Sequence, residues 1–170
     1  MMQCPDLVLL RHAQAGDPAD FDGPDRDRPL TREGEASAAA MARALVPLLG
    51  EPARIWVSPW LRARQTAEPL AHALACTPEA VDWLRPGQLA GLELQGRLQA
   101  EKKGGSIVLV GHEPDLSRLA GRLLGAAGGA SPVELGKGDA CGLCGHLPGP
   151  LRLVWYLPRA VLERMGGGQT

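Results

Sequence analysis

The chain opens with a short apolar run, Leu7-Val8-Leu9-Leu10, followed by Arg11 and His12; a second run, Ile107-Val108-Leu109-Val110, is followed by Gly111 and His112. Four branched or long apolar residues that stop where polar residues begin are the pattern of central parallel strands buried on both faces. Elsewhere the period is helical. After Thr31, a residue type that caps helix starts, Ala38, Met41, Ala42, Leu45 and Leu49 fall on one face, with Pro47 and Gly50 as stop signals. A strand over 54–57 leads through Ser58-Pro59 into a helix that begins near Arg62 and buries Ala63, Ala67, Leu70, Ala71 and Leu74. A weaker strand at 80–84 and a less periodic helix over 88–102 precede the second histidine run. Asp115 is then expected to cap a helix carrying Leu116, Leu119, Ala120, Leu123 and Leu124 on its apolar face. Two closing strands, about 140–147 and 151–157, are joined by Pro148-Gly149-Pro150, and a glycine-rich tail over 166–170 should be flexible.

Strand and helix alternate up to Leu124 and a hairpin follows. The expected fold class is therefore α/β: a three-layer sandwich with a mostly parallel central sheet and an antiparallel edge, as one domain over 1–165. Ligand crevices in such sheets form at the carboxyl edge, where the connections reverse direction. Both histidines fall on that edge, so the chain is expected to bring two distant imidazoles into one pocket.

Composition narrows the choice of partner. The chain has 170 residues, 45% of them hydrophobic, which is enough for a core without covalent staples. A formal net charge of −1 argues against general affinity for nucleic acid or acidic membrane surfaces, so neither is expected as a partner. The run 7–10 is too short for a signal-peptide core and nothing approaches a membrane span; a cytoplasmic protein with its 4 cysteines reduced is expected. Residues 13–30 carry Asp17, Asp20, Asp22, Asp25 and Asp27 among Pro18, Pro24 and Pro29. Loops of that length inside a compact domain are usually functional, and this one reads as a lid beside His12. Its aspartate spacing does not follow a calcium loop. Cys141-Gly142-Leu143-Cys144-Gly145-His146 lacks a second ligand pair, and a strand there would turn the two thiols to opposite faces. No metal site and no cofactor is expected.

The chemistry resides in Arg11, His12, Arg62 and His112. Singly, each such residue is more often structural; together, on one sheet edge, they form a pocket for a tetrahedral dianion, because forked guanidinium donors match phosphate oxygens. An unprotonated imidazole can attack phosphorus and carry the group covalently, and His12, followed by a long polar loop, is best placed to do so. His112, with Arg11 and Arg62, would hydrogen-bond the phosphoryl oxygens. Arg28 is a candidate substrate contact or a salt-bridge partner within the acidic loop. Glu113 is a possible proton donor, or a negative charge favoured at a helix start. His72 and His146 have no supporting constellation.

Four segments together resemble one family. Leu9-Leu10-Arg11-His12-Ala13 is similar to the Arg-His-Gly signature of the histidine phosphatase superfamily, also called phosphoglycerate-mutase-like, with Ala13 in place of the usual glycine. Residues 28–34, beginning Arg28-Pro29-Leu30-Thr31, resemble its approach to the first helix; 57–67 resemble its second phosphate motif, with Arg62 at the arginine position; 110–114 match its second histidine. The resemblance implies a phosphoglycerate-mutase-like fold, His12 as the phosphorylated nucleophile, and Arg11, Arg62 and His112 around the phosphate. Short length and the segment Leu84-Arg85-Pro86-Gly87 look most like bacterial phosphohistidine phosphatases of the SixA type, and that segment lacks the carboxylate proton donor of the mutases and many ester phosphatases. A phosphoramidate needs such an acid less than an alkoxide leaving group does. The expected activity is removal of phosphate from phosphohistidine on a signalling or phosphotransfer protein. The rivals are a phosphatase acting on a small phosphate ester and a non-catalytic phosphate-binding module.

Overall fold

A computed structural model describes residues 5–89, 94, 96–98, 104–126, 131–146 and 150–167. Six strands form one sheet: β1 (Leu7–Arg11), β2 (Arg54–Val57), β3 (Glu79–Ala80), β4 (Ile107–Gly111), β5 (Ala140–Cys144) and β6 (Arg152–Leu157). Their order is β3-β2-β4-β1-β5-β6. β1 to β4 run parallel, while β5 lies antiparallel to β1 and β6 antiparallel to β5. The mostly parallel sheet with an antiparallel edge is thus the observed architecture.

Alternation along the strands feeds two cores. Leu7, Leu9, Trp56, Ile107 and Leu109 face one, which α3 (Asp115–Leu123) closes with Leu116, Leu119, Ala120 and Leu123. Val8, Leu10, Ile55, Val57, Val108 and Val110 face the other, closed by α1 (Arg32–Leu45), α2 (Leu61–Ala73) and α4 (Arg159–Gly167). A sheet buried on both faces explains why its central strands are apolar throughout rather than alternating.

Register places the site. Arg11 pairs with Gly111 across β1 and β4, so His12 and His112 leave the sheet side by side, and the His12 amide donates to the Gly111 carbonyl at 3.1 Å. The chain leaves β1 toward α1 on one face and leaves β4 toward α3 on the other. The crevice opens between these neighbours, where the connections part. Thr31 caps α1 as expected, its hydroxyl accepting the Gly34 amide at 3.0 Å. Gly34 also has a packing reason: a Cβ there would stand 2.0 Å from the Gln14 carbonyl oxygen, so the backbone just after His12 lies directly on the start of α1.

Several expectations are corrected. The strand at 80–84 is only Glu79–Ala80, followed by a 3-10 turn over Asp82–Leu84. Val81 and Leu84 are both buried, and a spacing of three suits a 3-10 turn, whereas a strand would send them to opposite faces. Asp115 is not the cap of α3: Pro114 holds that position, and the Asp115 carboxylate instead accepts the Gly87 amide at 2.6 Å. The chain after β6 forms α4, a helix that the apolar pattern did not reveal, and Gly166 and Gly167 of the expected tail are its last residues. Gly166 is buried because it meets Ala40 of α1, where a Cβ would lie 1.9 Å from the Ala40 carbonyl oxygen; Arg43 Nε donates to the Gly166 carbonyl at 2.7 Å. Of the helix expected over 88–102, residues 88–89 are irregular, 94 and 96–98 are helical, and the rest lies outside the described residues, as do residues 147–149 of the hairpin turn. No described helix is long and apolar enough to cross a membrane.

Candidate active site

The His12 side chain is 6% exposed, and its Nδ1 lies 2.7 Å from the Ala13 carbonyl oxygen. A carbonyl only accepts, so Nδ1 carries the proton and Nε2 keeps its lone pair. Arg62 Nε donates toward that lone pair at 3.3 Å. Burial lowers the His12 pKa from 6.5 to about 4; the Ala13 carbonyl opposes the shift, and the Arg62, Arg11 and Lys137 charges add to it. The ring is therefore neutral at physiological pH. Ala13, where the family has glycine, needs no special backbone: among the described residues Ala75 is the only non-glycine with positive φ. The Ala13 amide donates to Thr66 Oγ1 at 3.0 Å, and that hydroxyl donates to the Arg62 carbonyl at 2.7 Å, so one threonine of α2 ties the backbone after His12 to the helix that carries Arg62.

His112 stands beside it, with ring centroids 5.1 Å apart. Its Nε2 hydrogen-bonds Ser58 Oγ at 2.8 Å, and its buried Nδ1 has no partner among the described residues. Burial, then the His12 and Arg62 charges, bring its pKa down to about 3. An orphaned buried ring nitrogen next to a neutral imidazole is an unmet hydrogen-bonding group that a ligand could satisfy.

Arg62, buried at 4% exposure, lies 4.5 Å from the Trp60 ring centroid; the same ring meets His112 edge-on at 5.3 Å. The indole therefore braces two of the expected site residues. Arg62 also reaches the acidic loop, donating from Nη1 to the Asp25 carbonyl at 2.9 Å and from Nη2 to Asp25 Oδ2 at 3.2 Å. Arg28 is buried and donates from Nε to Asp25 Oδ1 at 2.6 Å and from Nη1 to the Gly16 carbonyl. Of the two readings of Arg28, the structure shows the salt bridge within the loop.

Arg11 ends β1 with Nη1 on the Leu135 carbonyl at 2.9 Å, and its buried Nε has no partner among the described residues. Glu113 is half-buried, with Oε1 unpartnered and a carboxyl pKa raised by burial against the opposing hydrogen bonds from Ser117 and the Arg11 charge. His12, Arg62 and His112 thus form one contiguous group. Arg28 joins it through Asp25. Arg11 and Glu113 make no hydrogen bond to either imidazole among the described residues, although the Arg11 charge helps to lower both ring pKa values. Cys141 is buried in β5, its thiol pushed up to about 12 by burial, and pairs in register with Leu9.

Residue types alone did not single out Asp25, Ser58, Trp60 or Thr66. Ser58 and Thr66 carried a usable signal, one directly after β2 and the other four residues beyond Arg62 on the same helix face. Asp25 carried none beyond being one of the loop's aspartates.

Two imidazoles and two guanidiniums at the switch point of a three-layer α/β sheet define a phosphoryl-binding class of pocket. The profile of the histidine phosphatase superfamily (branch 1) matches residues 7–96. An uncharacterised protein of Picosynechococcus sp. is 43% identical over 118 residues, covering 68% of this chain and 70% of that protein. The chain belongs to the histidine phosphatase superfamily. Among solved structures, the protein histidine phosphatase SixA complexed with tungstate shares the fold with a TM-score of 0.75 at 24% identity, covering 91% of this chain and 97% of that one. A mycobacterial glucosyl-3-phosphoglycerate phosphatase complexed with VO3 does so with a TM-score of 0.73 at 20% identity, covering 91% and 100%.

Proposed function

We propose that the protein is a cytoplasmic, metal-independent phosphatase that acts through a phosphohistidine on His12 and removes phosphate from phosphohistidine of a signalling or phosphotransfer protein. The observation that carries this reading is the His12 tautomer: a buried neutral imidazole whose Nε2 lone pair faces Arg62 Nε at 3.3 Å. Nε2 attacks phosphorus as the bond from phosphorus to the substrate nitrogen breaks, and the departing imidazole takes a proton. Water then attacks the phosphoryl group on His12, releasing inorganic phosphate and restoring Nε2. Arg62, Arg11 and His112 stabilise the equatorial oxygens, which is where charge shifts during transfer. The unpartnered His112 Nδ1 and Arg11 Nε are available for that task.

Support for a phosphorus–nitrogen substrate comes from the segment after β3. Leu84-Arg85-Pro86-Gly87 brings no carboxylate to the pocket, and an imidazole leaving group needs an acid less than an alkoxide does. The ester reading rests on Glu113, whose raised pKa would suit a proton donor.

The test is a time course of phosphate release from a phosphohistidine-bearing protein and from a panel of phosphate esters, without added metal, for wild type and His12→Ala. Selective release from the phosphoramidate, abolished in the variant, is expected. A preference for esters would move the assignment to a metabolite phosphatase, and no turnover on any substrate would leave a binding module.

A further inference from the structure

A guanidinium presents Nε and Nη2 on one edge as a fork whose two N–H groups match two oxygens of one anion. In Arg62 that fork is divided: Nε points at His12 Nε2 at 3.3 Å, and Nη2 at Asp25 Oδ2 at 3.2 Å. A phosphoryl group bonded to His12 Nε2 would carry its oxygens to the same fork. The carboxylate oxygen of Asp25 therefore stands in the place that a phosphoryl oxygen needs, with the same acceptor chemistry and the same sign of charge.

The surroundings allow Asp25 to leave and return. Its other oxygen is held by Arg28 Nε at 2.6 Å, and its side chain is 43% exposed, so an Oδ2 released from Arg62 is taken up by water while the second ion pair persists. Apart from the Asp25 carbonyl, which accepts Arg62 Nη1 at 2.9 Å, the segment that carries it is held at its base. Ala15 bridges Leu30, the Thr31 amide donates to the Gln14 carbonyl at 2.9 Å, and the Leu30 amide donates to Gln65 Oε1 at 2.8 Å. Between these anchors, residues 17–27 are exposed except for half-buried Phe21.

We propose that Asp25 is a built-in competitor for the phosphate fork of Arg62: substrate must displace its carboxylate to reach His12, and the carboxylate returns to that fork as inorganic phosphate departs. The inference rests on the phosphatase reading and adds to it a residue that sets how tightly oxyanions are held. A competitor favours substrates whose remaining contacts help to dislodge the Asp25 carboxylate, and it limits inhibition by the product. Asp25 could instead serve only to aim Arg62, and the two roles predict opposite signs. An orienting residue, once removed, weakens phosphate binding; a competitor, once removed, tightens it.

The experiment is calorimetric titration of inorganic phosphate into wild type, Asp25→Asn, Asp25→Ala and Arg62→Ala, together with kcat, KM and product inhibition for the first three. Both Asp25 variants are expected to bind phosphate about tenfold more tightly or better, since a negative charge next to the incoming dianion has been removed. KM should fall with no rise in kcat, and inhibition by phosphate should strengthen. Unchanged or weaker phosphate binding in both Asp25 variants would overturn the competitor role while leaving the phosphatase reading intact. Phosphate binding that survives Arg62→Ala unchanged would overturn both.

Discussion

At the residue scale, the backbone decides which nitrogen of His12 keeps its lone pair. The Ala13 carbonyl fixes the proton on Nδ1, and burial with the neighbouring cations keeps Nε2 bare. The expected consequence is a ring that titrates near 4 rather than 6.5, readable by proton NMR of the ring with His12→Ala for assignment. A midpoint near 6.5 would mean that a large fraction of the ring is protonated at pH 6, and the account of a neutral, single-tautomer His12 would fail. His12 and His112 were legible in the sequence because each follows a short apolar run, and a run buried in a sheet delivers the next residues to one edge; Arg62 was legible as the start of the helix that follows β2. Asp25 and Trp60 were not legible in the same way. Their roles depend on where a loop of irregular period folds back and on which face of an indole a guanidinium meets, and neither is encoded in spacing.

At the scale of elements, the pattern revealed most where burial is periodic. The cap at Thr31, the span of β2 and the apolar faces of α1, α2 and α3 could all be read before the structure. The misses share a cause: contacts made by small or irregular groups. The turn over Asp82–Leu84 buries two residues three apart, and α4 docks through a glycine, which contributes no apolar signal. That docking yields a sharp comparison between adjacent positions. Gly166→Ala places a methyl 1.9 Å from the Ala40 carbonyl and is expected to cost roughly 1–3 kcal/mol as overpacking, whereas Gly167→Ala meets nothing within 4 Å and should be neutral or slightly stabilising. Urea melts of the two variants test this, and equal stabilities would show that α4 does not pack on α1 as described.

For the whole molecule, the site is a source of pH-dependent strain. His12 and His112 stay neutral in the folded chain down to about 4 and about 3, but take up protons near 6.5 once unfolded. Their folded pKa values are depressed, so the unfolded state binds more protons below pH 6.5 and stability falls as pH drops from there toward 4. Above that window the loss is absent. The raised pKa of Glu113 acts in the opposite sense, which is why the comparison should be between variants and not across pH alone. His112→Ala is expected to flatten the pH dependence of urea-unfolding free energy between pH 7 and 5 by up to one proton; an unchanged slope would show that the ring is not buried neutral. The parallel pairing of β1 with β4 also sets a timetable. His12 precedes its neighbour His112 and the Leu135 carbonyl that holds Arg11 by a long stretch of chain, so both emerge from a ribosome well after it. Contacts so distant in sequence form slowly. A nascent chain therefore carries His12 as an ordinary solvated side chain, and the imidazole gains its buried, single-tautomer setting only after His112 and Leu135 have been added.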